Sequence, residues 1–158
     1  MSRTRNSAFT LVEILIVVII LGILAAIVVP QFTDASNEAR LSRLQSDLQS
    51  VRSQIELYKM QHGGDDPSAD ATANNTDFWT QLTTKTDAAG AAGGNLGPYL
   101  QNAPTNPFVV NAAGAASSDV NEGAAADAAG TDGWNFDATT GKFTALGSDG
   151  DGNALSDL

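Results

Sequence analysis

The chain contains no cysteine in its 158 residues. This absence excludes a disulfide framework, a thiolate metal site and a cysteine nucleophile. Histidine occurs only once, at position 62, and the sequence has no evident catalytic triad, paired-carboxylate cleft or phosphate-binding loop. We therefore predict a protein without enzymatic activity, built from one small domain beside any membrane segment.

Basic residues are scarce in the second part of the chain. From residue 61 onward there are 13 acidic residues against Lys85 and Lys142, and the whole chain has a formal net charge of −10. Because so acidic a segment repels the phosphate backbone, we predict that the protein does not bind nucleic acid. Cations are candidate ligands, although simple solubility is an equally good explanation for most of these acidic side chains.

Charged residues are also almost absent from residues 9–29, which are nearly all aliphatic. A helix of this length spans roughly 30 Å, enough to cross the hydrocarbon core of a bilayer. Because Arg3 and Arg5 precede the segment, we expect the N-terminus to stay cytoplasmic and the remainder to be exported. A cleaved signal peptide is the alternative, but its apolar core is usually about 7–15 residues long.

Glu13 is the one ionisable residue within this apolar segment. A charged side chain in a membrane helix costs on the order of 3 kcal/mol on insertion scales, so it normally has a partner and a role. The alternative is an acid tolerated near the lipid headgroups. Glu13 is thus a candidate functional residue.

The sequence FTLVE at residues 9–13, followed by an unbroken aliphatic run and Pro30, resembles the N-terminus of type IV prepilins and type II secretion pseudopilins. The resemblance implies that prepilin peptidase cleaves between Ala8 and Phe9 and that Phe9 is then N-methylated. The family strongly favours glycine before the cleavage site, and Ala8 departs from that pattern. Glu13 would be the assembly residue.

The resemblance implies a homopolymeric filament whose other partners are minor pseudopilins, prepilin peptidase and the inner-membrane assembly platform. The subunit would cross the inner membrane once, with a cytoplasmic N-terminus and a periplasmic head. A free amino group on Phe9 would pair with Glu13 of a neighbouring copy in a low dielectric. That pairing would offset the desolvation of both charges and set the stagger between subunits.

Beyond the apolar segment the helical pattern continues. Six apolar residues, spaced three or four apart, form one stripe: Leu41, Leu44, Leu48, Val51, Ile55 and Tyr58. We predict that this stripe packs against the protein's own head, with a coiled-coil dimer as the alternative. Gly63 and Gly64 would end the helix, and His62 would cap it or lie on the surface.

The remaining segments predict a small head. Residues 133–137 and 142–146 alternate apolar and polar side chains around a turn, which is typical of a β-hairpin. The alanine- and glycine-rich residues 88–95 and 111–130 predict flexible loops with little to bury. Residues 97–108, GPYLQNAPTNPF, resemble a segment of the major pseudopilin of type II secretion, which favours a pseudopilin over a pilin.

The C-terminal segment alternates Asp149, Asp151 and Asn153 with glycines, and oxygen ligands at short spacing suit Ca²⁺. The segment also resembles the C-terminus of major pseudopilins, which carry a structural calcium ion. That resemblance implies Asp149, Asp157 and the main-chain carbonyl of Leu146 as ligands, whereas Asp151 and Asn153 are candidates from their chemistry alone. A disordered acidic tail is the alternative.

The predicted fold class is α+β and pilin-like, with one long N-terminal α-helix packed on a small antiparallel β-sheet head. The predicted segments are a leader at 1–8, a transmembrane or filament-core helix at 9–29, its amphipathic continuation at 30–62 and an acidic globular head at 63–158. The leading function is a structural subunit of a periplasmic pseudopilus for type II secretion. The alternatives are a type IV pilin for adhesion, motility or DNA uptake, and a membrane-anchored calcium-binding protein that does not polymerise.

Overall fold

The computed structural model describes residues 9–67, 76–123 and 130–158. Its elements, in chain order, are α1 (Leu11–Gln61), α2 (Thr76–Thr83), β1 (Asn106–Val110), β2 (Ala116–Ser117), β3 (Val120–Glu122), β4 (Trp134–Asp137), β5 (Lys142–Ala145) and a 3₁₀ turn (Leu155–Asp157). The chain divides into two compact units, one up to Ala39 and the other Arg40–Leu158.

The first unit consists of the N-terminal part of α1. The helix continues through Gly22 and Pro30, as predicted. Its large apolar side chains between Leu11 and Val29 are 41–80 % exposed. Among the described residues α1 is the one helix long and apolar enough to span a membrane, with a mean hydropathy of 3.3 in its most apolar window. An apolar surface of this extent needs lipid or other helices around it.

The second unit has its core along the predicted stripe of α1. Leu44, Leu48, Val51, Ile55 and Tyr58 are each no more than 2 % exposed, and Leu41 packs at the edge of the same cluster. Residues from α2 and the β-hairpin complete the cluster, which confirms that the stripe packs on the protein's own head. Each such side chain contributes about 1.5–3 kcal/mol on burial.

The predicted hairpin is confirmed. In β4 and β5, Trp134 lies opposite Ala145 and Phe136 opposite Phe143, and all four side chains are buried. The turn contains Gly141 at φ +69°, a conformation that glycine adopts without strain. The inward face of the hairpin therefore meets the helix stripe.

The strands form two sheets. One contains β1 and β2 in antiparallel pairing, and the other has the order β3-β4-β5. The α+β class with a long N-terminal helix is confirmed. One pairing differs from the expected antiparallel arrangement, because β3 runs parallel to β4.

Aromatic side chains fix α2 on the sheet. Phe78 stacks on Phe143 with ring centroids 5.6 Å apart, and Trp134 stacks on the same ring at 5.4 Å. The indole Nε1 of Trp79 donates to the main-chain oxygen of Ser118 at 2.6 Å. Trp79 thus belongs to the core and also anchors the segment before β3.

The prediction that residues 111–130 have little to bury is wrong for the part that the structure describes. This range contains β2 and β3, with Ser117 0 % and Val120 3 % exposed. The Asn111 side chain accepts hydrogen bonds from the main-chain N–H of Ala113 and Ala115, which closes a turn between β1 and β2. Residues 124–129 lie outside the described ranges.

The prediction that His62 lies on the surface is wrong, because its side chain is only 2 % exposed. The alternative, that it caps the helix, agrees with its contact to the Tyr58 carbonyl in the last turn of α1. The imidazole stacks on Tyr58 at 3.7 Å between ring centroids. Its Nδ1 donates to the Tyr58 carbonyl at 2.9 Å, and its Nε2 lies 3.0 Å from the Thr86 hydroxyl. Since a carbonyl only accepts, Nδ1 carries the proton in the neutral ring, and Nε2 accepts from Thr86.

Candidate functional site

The start of α1 is a reciprocal hydrogen-bonded cap. The helix begins at Leu11, so Thr10 is its N-cap and Glu13 its third residue. The main-chain N–H of Glu13 donates to the Thr10 hydroxyl oxygen at 3.3 Å, and the main-chain N–H of Thr10 donates to Glu13 Oε2 at 2.9 Å. This is a capping box, which satisfies main-chain donors that the first turn leaves unpaired.

The Thr10 hydroxyl adds a third bond, donating to Glu13 Oε2 at 2.8 Å. Both Thr10 donors therefore converge on one carboxylate oxygen. The other, Oε1, has no hydrogen-bond partner in the part of the chain that the structure describes. Phe9 is 74 % exposed, and Ala8, the residue before the predicted cleavage site, lies outside the described residues.

The C-terminal loop is ordered around Asp149. Its Oδ1 accepts from the main-chain N–H of Asp151 at 2.9 Å and of Asn153 at 2.8 Å, and its Oδ2 accepts from the Asn153 side-chain amide at 2.8 Å. The Asn153 side-chain and main-chain bonds, in that order, lower the pKa of Asp149 below its ordinary value. Leu155 is 1 % exposed, so the alternative of a disordered tail does not describe this loop.

The other predicted calcium ligands are not all brought together. The Leu146 carbonyl accepts from the side-chain amide of Asn106 at 2.9 Å, and Asp157 is exposed in the 3₁₀ turn. Within residues 9–67, 76–123 and 130–158, no group of three or more His, Cys, Asp or Glu side chains is placed to hold a metal ion. The side chains of Asp149 and Asn153 lie together, but it is the amide nitrogen of Asn153 that faces the carboxylate, at 2.8 Å from Oδ2. Ca²⁺ requires oxygen ligands.

Two side chains that organise hydrogen bonds in the structure were not predicted from the sequence. Thr10 carried a recognisable signal, because Thr followed three residues later by Glu before an apolar run is typical of a capping box. Arg52 carried none. Its Nε donates to the Phe143 carbonyl and its Nη2 to the main-chain oxygen of Leu158, each at 2.9 Å, so it fastens β5 and the C-terminal segment to α1.

A cavity of about 400 Å³ lies beside the end of α1 and is lined by residues that include Tyr58, His62, Asp65 and Gln81. The Tyr58 hydroxyl donates to Gln81 Oε1 at 2.6 Å. Burial, followed by the nearby Tyr99, Asp65 and Asp87, raises the pKa of Tyr58 to about 12. The hydroxyl therefore stays neutral and hydrogen-bonded at ordinary pH.

Comparison with known proteins gives one family match and several curated relatives. The family description "Prokaryotic N-terminal methylation motif" matches residues 3–29. Type II secretion system core protein G of Pseudomonas aeruginosa is 42 % identical over 60 residues, which cover 38 % of this chain and 42 % of that protein. The Type IV narrow pilus major component PilA5 of Thermus thermophilus is 32 % identical over 90 residues, covering 52 % of this chain and 76 % of that pilin.

The chain belongs to the type IV pilin-like family. The Fimbrial protein EcpB of Eikenella corrodens is a further relative, 37 % identical over 75 residues, which cover 46 % of each chain. The chain spans about two-fifths of the length of the core protein G relatives it matches. No solved structure matches it significantly. The resemblance to pilins and pseudopilins expected from residues 9–13 is thus confirmed.

Proposed function

We propose that this pilin-like chain is a structural subunit that polymerises into a periplasmic pseudopilus for type II protein secretion. One observation carries the proposal: the methylation motif at residues 3–29 includes the start of α1, where the large apolar side chains from Leu11 to Val29 are all exposed. The lone acid of this stretch, Glu13, has one carboxylate oxygen without a hydrogen-bond partner among the described residues. The several relatives named type II secretion system core protein G favour this system over others.

The subunit enters the inner membrane as a single-pass protein, with its N-terminus in the cytoplasm and its head in the periplasm. Prepilin peptidase removes residues 1–8 between Ala8 and Phe9, and the new N-terminus of Phe9 is methylated. The exposed aliphatic surface of α1 supports this route, because it is stable in lipid before assembly and against other helices afterwards. Minor pseudopilins and the inner-membrane assembly platform are the further partners.

Assembly is driven by the pairing of Glu13 with the freed amino group of Phe9 in a neighbouring copy. Two such charges 4 Å apart attract each other by about 4 kcal/mol at an effective dielectric of 20, against about 1 kcal/mol in water. Pairing offsets the cost of holding each charge among apolar side chains. The pairing also favours one stagger between neighbouring helices, because any other stagger leaves both charges unpaired.

The test is to replace Glu13 by Gln and to measure filament yield in cells that contain the secretion machinery. Glu38→Gln is the matched control, since it removes one negative charge from an exposed position on the same helix outside the apolar segment. We expect the first variant to remain in the membrane without filaments and the second to assemble. Mass spectrometry should also find methyl-phenylalanine at Phe9. Normal filaments from Glu13→Gln, or an intact leader in active cells, would refute the proposal.

A surface pilus for adhesion, motility or DNA uptake is the second candidate. It is favoured by the similarity to the fimbrial protein of Eikenella corrodens and the narrow-pilus component of Thermus thermophilus. Electron microscopy of intact cells separates the two functions, because only a surface pilus extends beyond the envelope at native expression. A membrane-anchored protein that does not polymerise would instead be unaffected by Glu13→Gln.

The C-terminal loop is the proposed calcium site. Rotation of the Asn153 side-chain amide would turn its oxygen towards Asp149, and both side chains would then bind the ion. Asp151, Asp157 and the Leu146 carbonyl would be the other ligands. The ion would stabilise the loop in a chain that has no disulfide. Millimolar Ca²⁺ should raise the melting temperature of the full chain in detergent, but not that of Asp149→Ala. Equal melting temperatures of wild type with and without Ca²⁺ would refute the proposed calcium site.

No step of this function requires catalysis by the chain itself. The relatives are named as a secretion-system core protein, a fimbrial protein and a pilus component. We therefore propose a structural role, in which binding between copies drives assembly and prepilin peptidase catalyses the covalent step.

A further inference from the structure

We propose that Thr10 is a positioning residue for assembly: its hydroxyl and main-chain N–H hold one oxygen of Glu13 so that the other is presented to the neighbouring subunit. This inference rests on the proposed assembly function. It assigns to Thr10 a role that acts through Glu13, since Thr10 itself need not touch the neighbour.

The hydrogen bonds divide the Glu13 carboxylate into two unequal oxygens. Oε2 receives two donors from Thr10, at 2.9 Å from the main-chain nitrogen and 2.8 Å from the hydroxyl. Oε1 receives none from the described residues. A carboxylate offers about four acceptor positions, so the Thr10 bonds leave Oε1 fully able to accept a bond from an ammonium group.

Fixing the side chain lowers the cost of pairing. A free Glu side chain loses rotamer entropy when it is immobilised. The capping box immobilises Glu13 within its own helix before any neighbour arrives. Pairing with a second copy then fixes fewer torsions, which is the general advantage of a preorganised binding group.

The Thr10 hydroxyl has two roles that substitutions can separate. As an acceptor it caps the main-chain N–H of Glu13, and as a donor it binds Glu13 Oε2. Serine retains both roles and valine, of similar shape, removes both. Aspartate is as good an N-cap acceptor as threonine, but it cannot donate when ionised and it repels the Glu13 carboxylate.

The experiment compares Thr10→Val, Thr10→Asp and Thr10→Ser with wild type, measuring filament yield per membrane-inserted, processed subunit. Thr33→Val is the matched control, because the Thr33 hydroxyl also bonds within α1, donating to the Val29 carbonyl at 3.3 Å. Leader cleavage of each variant is measured by mass spectrometry of the N-terminus, so that a defect in cleavage is separated from a defect in assembly. We expect yields about five- to tenfold lower for Thr10→Val and Thr10→Asp, and unchanged for Thr10→Ser and Thr33→Val.

The outcomes distinguish this inference from the function on which it rests. Wild-type yield from Thr10→Asp would show that capping alone matters and would overturn the positioning role, as would wild-type yield from Thr10→Val. Failure of Thr10→Ser to restore assembly would also overturn it. If the wild-type chain forms no filaments, the proposed function and this inference both fail. If the Thr10 variants form filaments at wild-type yield, only the inference fails.

Discussion

Arg52 is the side chain whose loss should most clearly separate the C-terminal segment from α1. It donates from Nε to the Phe143 carbonyl and from Nη2 to the main-chain oxygen of Leu158, each at 2.9 Å and partly buried. Arg52→Met keeps the apolar stem and removes both bonds. Hydrogen bonds from charged groups contribute about 1.5–3 kcal/mol each, and partial exposure favours the lower end, so we expect a loss of about 3 kcal/mol.

The assay uses the natural fluorescence of the head. Both tryptophans, Trp79 and Trp134, lie in the core, so their emission reports its unfolding directly. Urea titration of the full chain in detergent should show the midpoint of Arg52→Met lowered by about 1–3 M, if the dependence on urea is about 1–3 kcal/mol per M. Arg43→Met is the control on the same helix, because Arg43 is 69 % exposed and pairs with Asp47 at 3.6 Å.

An exposed pair of this kind contributes about 0–1 kcal/mol, so the control should change the midpoint little. Equal midpoints for Arg52→Met and wild type would refute the reasoning, since they would mean that water replaces both carbonyl contacts without cost. Equal losses from the two variants would refute it in another way, by showing that the effect comes from charge or helix propensity.

Three further predictions concern the head. Burial raises the pKa of Tyr58 from 10.0 to about 12, so the stabilisation by its neutral hydroxyl is complete below pH 10 and is lost as the pH rises towards 12. The urea midpoint of wild type should therefore fall between pH 10 and 12, and that of Tyr58→Phe should fall less over the same range. Hydrogen bonds from Asn153 hold the pKa of Asp149 below 3.8, so the stabilisation by its carboxylate is present above that pH and is lost on further acidification. Amide hydrogen exchange in the loop should then increase less in Asp149→Asn than in wild type. Gly94→Ala should lower the thermal midpoint, because the new Cβ would collide with the main chain at Thr86, whereas Gly123→Ala meets no described atom within 4 Å and should not.

The long helix and its two faces were predictable from the sequence because they follow from periodicity. The apolar run of 9–29 has no polar side chain except Thr10 and Glu13 near its start, and the later stripe repeats every three or four residues. The hairpin was predictable for the same reason, since Trp134 and Phe136 alternate with polar residues as a half-buried strand requires. Each of these patterns depends on local spacing alone.

The rest depends on partners distant in sequence. His62 is buried because Thr86, 24 residues further on, supplies a hydrogen bond to its ring, and nothing near His62 in the chain indicates this. The strand β3 is short and has a single strongly apolar residue, Val120, so its parallel pairing with β4 is visible only once the hairpin is in place. Arg52 resembles any solvated arginine until the C-terminal segment packs beside it.

The same distinction explains why the family could be assigned more readily than the particular filament. On the proposed function, residues 9–29 must suit lipid, prepilin peptidase and neighbouring copies at once, and few side chains meet all three requirements. The head must only cover the stripe of α1 with side chains of fitting volume, which many sequences can do. A difference between a secretion pseudopilus and a surface pilus should therefore reside in the head, and residues 97–108 and the loop around Asp149 are the segments to exchange with those of a surface pilin.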